Sequence, residues 1–153
     1  MRLTGKTSNP GNNTSTATSA EQIPHGRTSG PGRLLIAVYG IFALSATARA
    51  SFQIATAFDE APLAYSLSAF AAVVYIVATI SLAKPGATWA KVATIAICIE
   101  LIGVLVVGAL SFLDPADFEH ASVWSKFGQG YGYIPLLLPI IGLIWLYRNR
   151  EVK

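Results

Sequence analysis

The sequence predicts an all-α polytopic membrane protein, a four-transmembrane-helix up-down bundle with a short extracellular interfacial helix before the last span. Three observations predict it. Of 153 residues, 53% are hydrophobic and only 12% are charged, about half the charge of a soluble domain. Four long apolar runs are each bounded by turn or breaker residues. Lysine and arginine fall almost entirely in every second connection, the signature of a membrane orientation.

Residues 1–32 are rich in Thr, Ser, Asn, Gly and Pro and nearly lack large apolar side chains. Such a segment buries too little surface to offset its ordering entropy, and it reads as a disordered cytoplasmic tail. It holds no apolar stretch of the signal-peptide kind, so the first span is expected to act as its own targeting signal. Residues 33–148 form the transmembrane domain, and 149–153 a short cytoplasmic tail.

Span one is predicted over 34–58, a helix of roughly 37 Å that crosses a core of about 30 Å with some tilt. Asp59-Glu60-Ala61-Pro62 leaves room only for a tight hairpin. Span two is predicted over 62–83, with Pro62 in the first turn, where its missing N–H costs nothing. Lys84-Pro85-Gly86 stops it. Span three is predicted over 92–113, with Trp89 and Lys91 near its interfacial start. Asp114-Pro115 then reads as a helix start. Phe118, Ala121, Trp124 and Phe127 recur along one face and Gly128 ends the pattern, which predicts a short amphipathic helix lying apolar side down on the outer surface. Span four, over 133–147, is short and contains Pro135 and Pro139.

Of 11 Lys and Arg residues, Arg2, Lys6, Arg27 and Arg33 precede span one, and Lys84 and Lys91 lie between spans two and three. Arg148, Arg150 and Lys153 follow span four. Lys126 alone falls on the opposite side, with Asp59, Glu60, Asp114, Asp117 and Glu119. The positive-inside rule then places both termini in the cytoplasm, and the expected location is the plasma membrane.

Two ionisable residues fall inside spans, Arg49 and Glu100. A charge near the bilayer centre costs about 2.5–3.5 kcal/mol on insertion scales, so such groups face the bundle interior and find partners. Each is the other's candidate, although their backbones differ in depth by roughly 9 Å. Ser45, Arg49, Gln53 and Thr56 share a face of span one. Ala93, Ala96, Glu100 and Gly103 share a face of span three, where small residues allow close approach. Ala64, Ser68 and Ala72 form a similar row in span two, with Tyr75 and Thr79 nearby. Arg49 and Glu100 are thus the candidate intramembrane pair, with Ser45, Gln53 and Tyr75 as supporting polar residues. The pair fixes helix register in one reading and carries protons or ions in the other.

No catalytic, cofactor or metal site is expected. His25 and His120 lie outside the spans, which excludes a bis-histidine haem within the membrane. The lone Cys98 excludes an internal disulfide or a cysteine metal site. Gly130-Tyr131-Gly132 has the wrong flanks for a potassium filter, which also needs a pore helix and four copies. The basic residues are topological and do not form a nucleic-acid stripe.

Several stretches carry a likeness: Ala46-Thr47-Ala48-Arg49, Glu60-Ala61-Pro62-Leu63-Ala64-Tyr65, Ala71-Ala72-Val73-Val74-Tyr75, Val123-Trp124-Ser125 and Gly130-Tyr131-Gly132. Between Arg33 and Arg148 the chain resembles a group of small four-helix integral membrane proteins of actinobacteria. The resemblance implies a compartment and a fold, and no particular activity. The expectation is a non-enzymatic accessory or scaffold subunit whose partners are the lipid bilayer and a membrane protein or second copy. The alternative is a small transporter or channel using Arg49 and Glu100.

Overall fold

The computed structural model describes residues 30–116, 120 and 122–150. Residues 1–29 of the tail expected over 1–32, and residues 151–153, lie outside the described residues. Among those described the chain is helical, with no strand. Helix α1, Pro31–Ala57, starts with proline in its first turn and runs into a 3₁₀ turn, Phe58–Glu60. It therefore begins just inside the stretch read as tail. Helix α2, Pro62–Ala83, has the bounds of its apolar run. Gly86, at φ 115°, breaks the chain before α3, Ala87–Leu113. This third helix starts five residues ahead of the predicted span, because 87–91 contains no breaker. Within that added turn Trp89 receives the Lys84 ammonium over its ring, 4.3 Å from the centroid. Helix α4 is Ile134–Asn149.

Three helices are long and apolar enough to cross a membrane. Each presents large apolar side chains outward, among them Leu44 and Phe52, Leu63 and Val73, and Ile95 and Ile102. Soluble monomers rarely expose contiguous apolar faces of this extent, so the protein is membrane-embedded. With 16 residues, α4 measures about 24 Å, short of a core of about 30 Å. It counts as a fourth crossing only together with the 3₁₀ segment Ser125–Tyr131, from which it is bent by 99°.

Lipid tails are as apolar as leucine, so close packing and internal polar contacts must hold the helices together. Small residues supply the packing. Ala64, Ser68, Ala71, Ala72 and Ala78 of α2 are buried, as are Ala90, Ala93 and Ala96 of α3. Gly40 of α1 lies against Thr79 of α2, while the Phe42 and Tyr75 rings meet at 5.6 Å. That order of contacts runs the two helices in opposite directions. On α4, Gly142 admits Ile97 and the Tyr39 hydroxyl.

The predicted interfacial helix is not what the described residues form. Asp117, Phe118, Glu119 and Ala121 lie outside them. Ser122 and Ser125 close a turn, the Ser122 N–H donating to Ser125 Oγ at 2.9 Å and the Ser125 N–H to the Ser122 carbonyl at 3.2 Å. The backbone then turns left-handed at Lys126 (φ 50°), Phe127 (φ 59°) and Gly128 (φ 78°), and again at Gly132 and Tyr133. Each non-glycine residue held there costs on the order of 1–3 kcal/mol. The compensation lies in packing. The Trp124 ring, 1% exposed, fills the space that Gly103 leaves on α3. Phe127 fills the space at Gly108, and Pro135 packs on Gly128. Trp124 and Phe127, read as facing the bilayer surface, thus turn inward onto α3.

A Cβ on Gly103 would stand 2.5 Å from Trp124 Cζ3. Gly103→Ala should therefore destabilise the fold by about 1–3 kcal/mol, and by much less when Trp124 is already leucine. Circular dichroism during detergent-driven unfolding measures both values. Equal losses in the two backgrounds would refute the contact.

Candidate functional site

The polar centre of the bundle is built around Glu100. It sits on the buried face of α3 with Ala93, Ala96, Ile97 and Val104, and it is 0% exposed. The Tyr39 hydroxyl of α1 donates to Glu100 Oε2 at 2.7 Å. Tyr75 of α2, equally buried, faces the same carboxyl. The Trp124 indole N–H donates to the Tyr75 hydroxyl at 3.3 Å, and the Tyr39 and Tyr75 rings lie 6.2 Å apart. Glu100 Oε1 is buried and accepts no hydrogen bond. One carboxyl is therefore enclosed by phenols from two other helices, and one phenol is tied to the segment preceding α4. In hydrocarbon an unsatisfied polar group costs several kcal/mol, so these donors define where α1 and α2 must sit relative to α3.

A second polar contact lies farther along α1. Arg49, half-buried, donates from Nη1 to the Tyr131 hydroxyl at 2.7 Å. The Tyr131 ring also rests 5.9 Å from Phe42. Gln53, one turn on, is half-buried, and its Oε1 is shielded from solvent without a hydrogen bond. Arg49 and Phe42 thus join α1 to Tyr131 of the 3₁₀ segment.

The predicted partners are thus brought to different places. Glu100 and Tyr75 meet in the core. Arg49 lies in the second contact, and Gln53 is half-buried one turn beyond it with its Oε1 unbonded. Ser45 points outward and joins neither, and Thr56 is exposed with its hydroxyl bonded to the Phe52 carbonyl of its own helix. The expected ion pair of Arg49 with Glu100 does not form, since one carboxyl oxygen is taken by Tyr39 and the other has no donor. Geometry gives the reason. Tyr39 is the α1 residue level with Glu100, and Arg49 follows it by ten residues, roughly 15 Å along the helix axis.

Sequence reasoning missed Tyr39, Trp124 and Tyr131. Tyr39 and Tyr75 had a usable signal, because a tyrosine deep in an apolar span needs a partner for its hydroxyl. Tyr39 also shares a stripe with Phe42, Ala43, Ala46 and Ala50, all buried, beside the polar face that drew attention to Arg49. For Trp124 no local signal exists.

No family model, curated protein or solved structure matches the chain. Among the described residues no group of three His, Cys, Asp or Glu side chains could hold a metal ion. The chemistry on view is hydrogen bonding between buried donors and one carboxyl.

Since Arg49 and Glu100 belong to separate clusters, Arg49→Gln and Glu100→Gln should act additively. The double variant should lose the sum of the single losses to within about 0.5 kcal/mol. A coupling above about 1 kcal/mol in detergent-driven unfolding would restore the pair.

Proposed function

We propose that the protein is a non-enzymatic accessory or scaffold subunit of the plasma membrane, a four-span bundle with both termini cytoplasmic. The observation that carries this reading is the inward closure of its polar groups. Tyr39 donates to Glu100 and Trp124 to Tyr75, and Ser68, Ser81, Thr94 and Ser111 donate to carbonyls of their own helices. Such an interior holds a bundle in one register. The outward faces, rich in Leu, Ile, Val and Phe, are suited to lipid and to other membrane helices. The orientation rests on the charge distribution: Arg33 opens α1, Lys84 and Lys91 flank the turn between α2 and α3, and Arg148 closes α4. The resemblance to small actinobacterial membrane proteins agrees with this reading and adds no activity to it.

A second reading, a small proton or ion transporter centred on Glu100, is favoured by one observation: the free acceptor Oε1 in the interior. The two readings separate cleanly. Extraction in mild detergent followed by mass spectrometry should recover a stoichiometric membrane partner or a homo-oligomer, and liposomes containing the protein should show no flux that Glu100→Gln alters. A partner-free monomer with Glu100-dependent flux would overturn the scaffold in favour of the transporter.

A further inference from the structure

We propose that residues 122–133 form a removable plug in the end of the bundle where α3 stops and α4 starts, latched by Arg49 and screening Glu100. The proposal goes beyond the scaffold reading and does not depend on it.

Three features separate this segment from the helices. Its backbone is held in the left-handed region at Lys126, Phe127 and Tyr133, a conformation that persists only while surrounding contacts impose it. Its seat on the helices is made by side chains, with Val123 and Trp124 buried in the core. Trp124 is seated on Gly103 and meets Phe70 edge-on at 6.0 Å. Phe127 is seated on Gly108 and meets Phe112 at 5.8 Å. Both sockets are glycines, which take a ring without a side chain closing over it. At the far side of the segment, the Tyr131 hydroxyl accepts from Arg49. Arg49 thereby adds a hydrogen bond from α1 to a strap that rests on α3, on α2 through Phe70 and Tyr75, and on Phe42 of α1.

The position of Trp124 gives the plug a consequence. Gly103 lies one turn from Glu100 on the same face of α3, so the indole caps the turn next to the carboxyl. Its N–H bonds to Tyr75, the phenol that faces Glu100. Lifting Trp124 removes the Tyr75 contact and opens the route from the end of the bundle to the acceptor Oε1, which is otherwise buried. Release of the latch and exposure of the carboxyl are one motion.

The test uses the full chain in phosphatidylcholine nanodiscs, with Trp89→Phe and Trp145→Phe leaving Trp124 as the sole tryptophan. Iodide quenching reports the ring, and labelling by a water-soluble carbodiimide with an added amine, read by mass spectrometry, reports Glu100. In this parent, quenching should be minimal and Glu100 unlabelled. Tyr131→Phe deletes only the latch hydroxyl. It should raise quenching severalfold and make Glu100 reactive, with helix content unchanged. Arg49→Gln should do the same by removing the donor. Unchanged quenching in both variants would overturn the latch. Quenching that rises only with loss of helix content would show the segment to be an integral part of the bundle. A quenched Trp124 with Glu100 still unlabelled would overturn its role as the screen.

Discussion

Everything in this bundle has to accommodate one carboxyl in the interior of a membrane-embedded fold. Glu100 has no exposed surface, and lipid offers it nothing. Its stabilisation must come from the chain, and the chain supplies a hydrogen bond from the Tyr39 phenol of α1, beside the buried Tyr75 phenol of α2, which is itself bonded by the Trp124 indole of the segment before α4. Because lipid tails compete with apolar packing on nearly equal terms, directional contacts of this kind discriminate between helix registers in a way that apolar contacts do not.

The packing follows from that centre. Buried alanines and serines line α2 and α3, and Gly142 brings α4 against Ile97 and Tyr39. Where α3 continues past Glu100, Gly103 and Gly108 leave two sockets, and the 3₁₀ segment fills them with Trp124 and Phe127. The same segment reaches back to α1 through Tyr131 and Arg49. Polar contacts thus occur at two levels, one uniting three helices around the carboxyl and one fastening the connection that leads into α4.

The long helices were legible because their signals are local. An apolar run, a proline in the first turn and Lys84-Pro85-Gly86 at the stop define α2 without any tertiary information. Glu100 was legible as a buried group because its residue type conflicts with its surroundings. Its partner was not, since that depends on which residues of α1 come level with it, and helix tilt and crossing set that level. Residues 122–128, read as the end of an interfacial helix, take another path for a related reason. Apolar residues recurring along the chain suggest a helix, but nothing in Lys126, Phe127 or Tyr133 announces a left-handed backbone. The two glycines that receive the rings stand on another helix.

The central claim is that Glu100 is held by Tyr39 and that this contact contributes to the stability of the bundle. A double-mutant cycle with Tyr39→Phe and Glu100→Gln, followed by detergent-driven unfolding, measures it most directly. The account predicts a favourable coupling of at least about 0.6 kcal/mol, the average found for hydrogen bonds between membrane helices, whose maximum is about 1.7 kcal/mol. Strictly additive losses, with no coupling beyond about 0.3 kcal/mol, would contradict it.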